Sequence, residues 1–153
     1  MEFGLSEDQV MLQETVRRFV AEEASLDTIR AIADQESDVQ NVLDEKIAAL
    51  GLDGLLIPEE VGGSGLGVLD AILVQECFGY GLVPSRFLSN TIAAYALGES
   101  GSELAGNIAS GAAKFGVALN DIVSRRDASG LQVSDTSVTG KSLMAINVRD
   151  ATH

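Results

Sequence analysis

The chain has 153 residues, enough for one domain with a buried core, and 46% of them are hydrophobic. Its net charge is −13, and it has no basic stripe that would displace counterions from phosphates, which argues against nucleic-acid binding. No apolar run approaches the ~18–20 residues that a membrane-spanning helix needs, and the first residues lack the features of a signal peptide. We therefore expect a cytoplasmic protein with no nucleic-acid or membrane partner, and the single Cys77 fits a reducing compartment.

The negative charge is concentrated in the N-terminal part of the chain. Residues 1–60 hold 15 acidic and 4 basic residues, a net charge of −11. Residues 61–153 hold 8 acidic and 6 basic residues, a net charge of −2. We interpret the acidic residues as a solvated surface of the first helices that aids solubility.

Helical patterns begin close to the N-terminus. Ser6 and Gln9 have the spacing of a capping box, in which each side chain bonds the backbone amide of the other residue. The apolar residues that follow recur at helical spacing to about Glu23, and the helical pattern resumes over residues 26–32. Two helices are therefore predicted in this region.

A glycine-rich stretch follows the next helix. Ser37 and Gln40 repeat the capping pattern, and Gly51 lies where a left-handed residue would end the helix. After Pro58, four glycines occur within residues 62–67, which indicates positive φ angles or close approach of neighbouring backbone. The stretch matches neither a dinucleotide-binding nor a Walker A motif. We interpret it as an inter-helix loop packed against the core.

Residues 68–79 are apolar nearly all round, which predicts a central, buried helix. Asp70 and Glu76 are exceptions, but they are six residues apart and form neither an i,i+3 nor an i,i+4 pair. The helix therefore provides no carboxylate dyad. Cys77 is interpreted as a small apolar filler of the core.

The pattern changes from helix to strand in the last third of the chain. Pro84 is placed to begin a helix, and a short helix follows through Ala109. Beyond residue 113, apolar residues alternate with small or polar ones in three segments, too few to close a sheet. We predict a mainly α fold, with a helical domain over residues 1–111 and an incomplete β segment over residues 112–153. This organisation suggests either a truncated chain or an obligate partner.

The residue types needed for a self-contained active site do not occur together. The only histidine is His153, the only cysteine is Cys77 on the apolar helix, and no Gly-x-Ser-x-Gly nucleophile motif occurs. These two residues form no metal-binding cluster. No catalytic residue and no metal ligand is assigned from the sequence.

The glycine-rich stretch and the helix after it resemble the N-terminal helical domain of the acyl-CoA dehydrogenases. The pattern is Leu-Gly-Leu-x-Gly-Leu-x-Ile-Pro-Glu-x-x-Gly-Gly-x-Gly, followed by an apolar helix that ends in Gln-Glu-Cys-Phe-Gly-Tyr-Gly. The resemblance covers Phe3 to about Gly111 and is weaker from there to His153. It implies an α domain followed by a β domain and a four-helix bundle, with FAD between the last two and a catalytic glutamate in the bundle. The family is usually tetrameric.

The resemblance also implies a substrate-binding role for the helix that starts near Pro84. In the family, the corresponding helix lines the acyl pocket, which makes Phe87, Leu88, Thr91 and Ile92 candidate acyl-chain wall residues. The alternative for each residue is that it only packs the helical core.

The candidate flavin-binding residues Leu119, Asn120, Met144 and Ile146 depart from the family pattern. The family's Leu-Thr-Glu-Pro-x-x-Gly-Ser-Asp loop corresponds to the segment that starts Leu-Asn-Asp-Ile, with only Leu119 retained. In the Gly-x-Lys-x-Trp-Ile-Thr-Asn pattern, Met144 replaces the aromatic residue and Ile146 the hydroxyl residue. Losing both should weaken FAD binding by something on the order of a few kcal/mol.

Three functions remain open from the sequence. The chain is the N-terminal part of an FAD-dependent acyl-CoA dehydrogenase, or a half-site subunit of a hetero-oligomeric dehydrogenase with a degraded flavin site, or a helical interaction module. The third explains the composition but not the glycine-rich pattern. The first two imply an acyl-CoA substrate and a homo- or hetero-oligomer of dehydrogenase-like subunits.

Overall fold

The structure is a computed structural model, and it describes residues 4–34, 37–100, 102–119, 130–142, 144–149 and 151–153. The helices are α1 (Glu7–Glu23), α2 (Leu26–Ala33), α3 (Ser37–Ala49), α4 (Val68–Tyr80), α5 (Phe87–Ser100) and α6 (Leu104–Ala109). Single 3₁₀ turns lie at Leu52–Gly54 and Glu59–Val61. The strands are β1 (Val117–Ala118), β2 (Gly130–Val133), β3 (Val138–Lys141) and β4 (Ala145–Ile146). The predicted mainly α fold with a short β segment is confirmed.

Local capping signals determine where the first helices begin. The Gln9 amide donates to Ser6 Oγ at 3.2 Å, and the Ser6 amide donates to Gln9 Oε1 at 3.1 Å, which confirms the predicted capping box. Ser25 caps α2 by accepting from the Thr28 amide at 3.2 Å. Gly51 has φ 74°, so the predicted left-handed residue follows α3.

The fifth helix begins later than the sequence predicts. The sequence pattern places Pro84 in its first turn, but α5 starts at Phe87. The Pro84 carbonyl accepts a hydrogen bond from the Gln40 side chain at 2.8 Å, which ties this segment to α3. Ser85 Oγ accepts from the Phe87 amide at 3.4 Å, so a serine side chain supports the helix start instead.

Two apolar clusters form the core. The larger joins α1, α3, α4 and the start of α5, and in it Phe78 contacts the Phe19 and Phe87 rings at centroid distances of 6.5 and 5.3 Å. The Phe78–Phe87 pair is edge-to-face, the arrangement that aromatic quadrupoles favour. The smaller cluster is centred on Ile57 with α5 and α6. Helix α5 therefore contributes residues to both clusters.

Helix α4 is buried on one side rather than all round. Val74 and Phe78 are inaccessible to solvent or nearly so, and Cys77 fills the core as predicted. In contrast, the side chains of Leu69 and Ile72 are 50% and 56% exposed. Within the described part of the chain, nothing covers this second side of the helix. None of the described helices is long and apolar enough to cross a membrane.

The glycine-rich stretch folds back onto the chain that precedes it. The amides of Ser64, Gly65 and Leu66 donate to the carbonyls of residues 54, 57 and 55 at 2.8–3.0 Å. A Cβ atom on Gly63 would lie 2.1 Å from the Ile57 carbonyl oxygen, so only glycine fits there. The glycines permit close backbone approach, as the sequence predicts.

The strands form two antiparallel ribbons. In the first, Val117 pairs with Ile146 and Ala118 with Ala145. In the second, β2 and β3 pair from Gly130–Lys141 to Val133–Val138. The β2–β3 ribbon is almost fully exposed, whereas the β1–β4 ribbon lies against α5.

Gly63→Ala should destabilise the fold by more than about 3 kcal/mol, because the clashing atoms are backbone and cannot rotate away. Gly79→Ala is the matched control: Gly79 lies in α4, and a Cβ atom added to it would meet no neighbouring segment within 4 Å. There alanine should stabilise the helix by about 0.5–1 kcal/mol. Urea unfolding monitored by circular dichroism measures both changes, and equal stability of the two variants would contradict the tight-approach interpretation.

Candidate functional site

Helix α5 has one face in the core and one face open. Phe87 is 1% exposed and contacts Phe78, so it lies in the core beneath the helix. Leu88 is 43% exposed, and Thr91 and Ile92 are partly exposed. Because residues at i, i+3 and i+4 share a helix face, the last three lie side by side. We call Leu88, Thr91 and Ile92 the open face of α5.

The β1–β4 ribbon brings three of the four predicted flavin residues together. The Leu119 amide donates to the Met144 carbonyl at 2.8 Å, which continues the ladder beyond the Val117–Ile146 pair. Since alternate residues point to the same side of a strand, Leu119, Met144 and Ile146 share one face of the ribbon. Asn120 lies outside the described residues.

Asn147 joins the end of this ribbon to the start of α5. Asn147 follows β4 directly, and its Nδ2 donates to Ser89 Oγ at 2.9 Å and to the Ser85 carbonyl at 3.3 Å. Its own carbonyl accepts from Arg86 Nη1 at 3.2 Å. Asn147 has φ 54°, a left-handed conformation that asparagine tolerates better than most residues. The open face of α5 and the ribbon are thereby held next to each other.

A buried ion pair with Asp44 holds the Arg86 side chain in place. Arg86 Nε donates to Asp44 Oδ2 at 3.3 Å, and the two side chains are only 11% and 12% exposed. Gln40 donates to the other oxygen of Asp44 at 2.9 Å, and Lys114 Nζ lies 4.0 Å from Asp44 Oδ2. Burial raises the pKa of Asp44 above its usual value, although these three neighbours all act to lower it.

A second hydrogen-bond network connects the Leu52–Gly54 turn to the β segment. Asn90 Nδ2 donates to Asp53 Oδ1 at 3.1 Å, and Asn90 Oδ1 accepts from the Phe115 amide at 3.0 Å. Asp53 and Asn90 are 7% and 2% exposed. The pKa of Asp53 is raised to about 6, mainly by burial and to a smaller extent by the Asp44 charge, although Asn90 and Lys114 act to lower it.

These two networks surround one cavity of about 620 Å³. Its walls include the five side chains Asp44, Asp53, Arg86, Asn90 and Lys114. We call these five residues together with Asn147 the polar seam. A second cavity of about 640 Å³ is more apolar and lies between α1, α2 and the end of α4. No group of three or more metal-binding side chains occurs among the described residues.

The seam residues are not among the site residues predicted from the sequence. One signal is present in the sequence: Ser89 and Asn90 lie in a largely apolar helix, and Asp53 interrupts the apolar run before Pro58. Polar residues in such positions are buried only when they have partners. The sequence does not say which distant residues those partners are.

Comparison with known proteins assigns the chain to a family. Residues 6–105 match the acyl-CoA dehydrogenase N-terminal domain. This match covers most of the chain, and the chain therefore belongs to the acyl-CoA dehydrogenase family, as the resemblance predicted.

Individual relatives agree with this assignment over part of their length. The acyl-CoA dehydrogenase IpdE2 of Mycolicibacterium smegmatis is 37% identical over 97 residues, which is 61% of this chain and 30% of that protein. The acryloyl-CoA reductase (NADH) of Anaerotignum propionicum is 35% identical over 79 residues, 52% of this chain and 20% of that protein. The mitochondrial isovaleryl-CoA dehydrogenase of Bos taurus is 35% identical over 75 residues, which is 48% of this chain and 17% of that protein. The aligned region spans less than a third of each relative, and no solved structure matches.

Asp53→Asn should stabilise the protein at neutral pH. The folded-state pKa of about 6 exceeds the ordinary 3.8, so the folded state binds the proton more tightly. The unfolding free energy therefore falls as pH rises between these values, and at pH 7 the buried charge costs on the order of 3 kcal/mol. Asparagine keeps an oxygen that accepts from Asn90, and the variant should gain stability at pH 7 and lose much of the slope between pH 4 and 6.

Urea unfolding at pH 4, 5, 6 and 7 measures this effect. Asp34→Asn is the control, because Asp34 is exposed and its replacement removes the same charge. The control should keep the wild-type slope. An Asp53→Asn slope equal to that of wild type would contradict the assignment of the buried charge to Asp53.

Proposed function

We propose that this chain is the N-terminal part of an FAD-dependent acyl-CoA dehydrogenase-like oxidoreductase that acts on the α,β bond of an acyl-CoA thioester. Its contribution is the acyl-pocket helices and part of an oligomer surface. Family membership supports this activity, and the carrying observation is the Asn147 contact with Ser85 and Ser89. Through that contact the predicted acyl-binding helix adjoins the strand that carries the predicted flavin residues. We place the protein in the cytoplasm.

The open face of α5 is the part of the chain proposed to contact the acyl group. Leu88 and Ile92 offer apolar surface, and Thr91 adds one hydroxyl, a composition typical of small-molecule sites. Phe87 lies on the other side of the helix, where it contacts Phe78. We therefore propose that Phe87 contributes to the acyl wall indirectly, by holding α5 against the core. The alternative for this residue is that it only packs the helical core.

The three predicted flavin residues that the structure describes fit FAD poorly. The ribbon face that carries Leu119, Met144 and Ile146 consists of aliphatic side chains, and Met144 is 46% exposed. Such a face offers no side-chain hydrogen-bond donor or ring to the polar edge and plane of an isoalloxazine. FAD, when bound, supplies hydride acceptance in this family, and no step of that chemistry is assigned to residues of this chain. The catalytic base is likewise proposed to lie outside it.

This poor fit favours a second candidate. The chain is then a half-site subunit of a hetero-oligomeric acyl-CoA dehydrogenase, in which a dehydrogenase-like partner supplies the flavin contacts and the base. The exposed apolar side chains of Val68, Leu69 and Ile72 on α4 support an additional subunit contact. Both candidates keep the same role for α5.

Flavin content distinguishes the two candidates. The 153-residue chain, purified alone from flavin-replete cells, should carry no flavin absorbance and should not dehydrogenate acyl-CoA thioesters with an artificial electron acceptor. Measurable turnover by this chain would overturn the proposal that the base lies elsewhere. Stoichiometric flavin in the complete protein purified without a partner would exclude the half-site candidate.

Leu88→Ala tests the acyl-binding role of α5 in the complete protein or assembled complex. Loss of apolar contact with the acyl chain should raise KM about tenfold, the effect of 1–2 kcal/mol, with kcat changed less. Leu66→Ala is the matched control, because Leu66 and Leu88 are both 43% exposed and Leu66 lies in the glycine-rich loop. Steady-state kinetics with several acyl-CoA thioesters measures both variants, and an equal KM for the two would refute the role of Leu88.

A further inference from the structure

The side chain of Asn90 connects three segments that are far apart in the sequence. It lies on α5 and is 2% exposed, so each of its polar atoms needs a partner within the protein. The nitrogen donates to Asp53 in the 3₁₀ turn, and the oxygen accepts from the Phe115 amide just before β1. Loss of either partner leaves a buried polar atom unsatisfied.

The chemistry of a carboxylate fixes the direction of the hydrogen bonds through Asn90. An ionised carboxylate only accepts hydrogen bonds, so the Asn90 nitrogen must face Asp53. The Asn90 oxygen is then directed to the Phe115 amide. The orientation of one amide group therefore depends on the group at position 53.

We propose that Asp53 is a positioning residue that acts through Asn90 to hold the chain before β1 against α5. The inference deepens the proposed function, since α5 and β1 are the elements assigned there to the acyl group and the flavin. Asp53 itself lies on the buried side of α5, where it contacts Asn90. In this proposal it touches neither the acyl group nor the flavin. Its effect on the site is the placement of Phe115 and the strand that follows.

Several charged groups face Asp53 across the cavity. Asp44 and Glu45 approach from α3, Arg86 from the segment before α5, and Lys114 from the segment before β1. Arg86 pairs with Asp44, and Lys114 lies next to Phe115 in the chain. The Asp44 charge disfavours ionisation of Asp53, and the Lys114 charge favours it. Ionisation of Asp53 therefore changes its electrostatic interaction with both residues.

Nuclear magnetic resonance of the purified chain tests the coupling. In wild type, the Asn90 side-chain amide and the Phe115 backbone amide should titrate together with a midpoint near the Asp53 pKa of about 6. Asp53→Asn should abolish this titration while keeping the slow hydrogen exchange of Phe115, because asparagine retains an acceptor oxygen. Asp34→Asn should titrate like wild type.

A second variant separates positioning from general stability. Asp53→Leu fills the site but removes the acceptor, so the Phe115 amide should exchange about tenfold faster at pH 5, the effect of one lost hydrogen bond. The Val74 amide in α4 should keep its wild-type exchange rate. If Asp53→Leu does not fold, the Asp53→Asn titration decides the question alone.

Two outcomes would overturn the proposal. One is a Phe115 amide that shows no titration in wild type or the same titration in Asp53→Asn. The other is equal acceleration of Phe115 and Val74 in Asp53→Leu, which indicates global destabilisation. Neither measurement uses acyl-CoA or flavin, so failure here leaves the proposed function untouched, and an absence of dehydrogenation leaves this inference untouched.

Discussion

The position of the β segment depends on the hydrogen-bonding demand of two buried residues on α5. Ser89 is inaccessible to solvent and Asn90 nearly so, and leaving such groups unpaired costs about 1–3 kcal/mol each. The Ser89 hydroxyl donates to the nearby Arg86 carbonyl and accepts from Asn147, and the Asn90 amide is paired with Asp53 and the Phe115 amide. Asn147, Asp53 and Phe115 all come from outside the helix. The helix therefore specifies where the Leu52–Gly54 turn and the β1–β4 ribbon must lie.

The seam works together with an apolar core that is largely complete without it. Phe78 joins α1, α4 and α5 through aromatic contacts, and the smaller cluster around Ile57 secures the opposite end of α5. Apolar burial determines which side of α5 faces inward, but it is non-directional and does not select one register for the strands. The directional hydrogen bonds of the polar seam fix where the β1–β4 ribbon lies on α5, and they leave the open face of α5 uncovered.

The features that the sequence predicts correctly are those encoded locally. The capping pair Ser6 and Gln9 and the left-handed Gly51 depend on neighbours within a few residues, and the structure confirms them. The predicted start of α5 is wrong because the pattern assigns Pro84 to its first turn, whereas that segment bonds the distant Gln40 side chain.

The polar seam is beyond sequence-based prediction for a related reason. Asp53 and Asn90 are separated by 37 positions, and Ser89 and Asn147 by 58. Hydrophobic periodicity carries no information about such pairs. The family pattern assigns residues to the substrate and the flavin, yet it gives no indication that these two groups of residues are joined through Asn147.

The most direct test of this account is the hydrogen exchange of the Leu119 amide, which closes the β1–β4 ribbon. Asn147→Gly permits the left-handed backbone but removes the side-chain bonds to Ser85 and Ser89. We expect Leu119 to exchange about tenfold faster or more in this variant, while Ser137→Gly, in the turn of the exposed β2–β3 ribbon, leaves its exchange unchanged. Wild-type exchange of Leu119 in Asn147→Gly would show that the ribbon is held on α5 by something other than the Asn147 side chain, and would contradict the account.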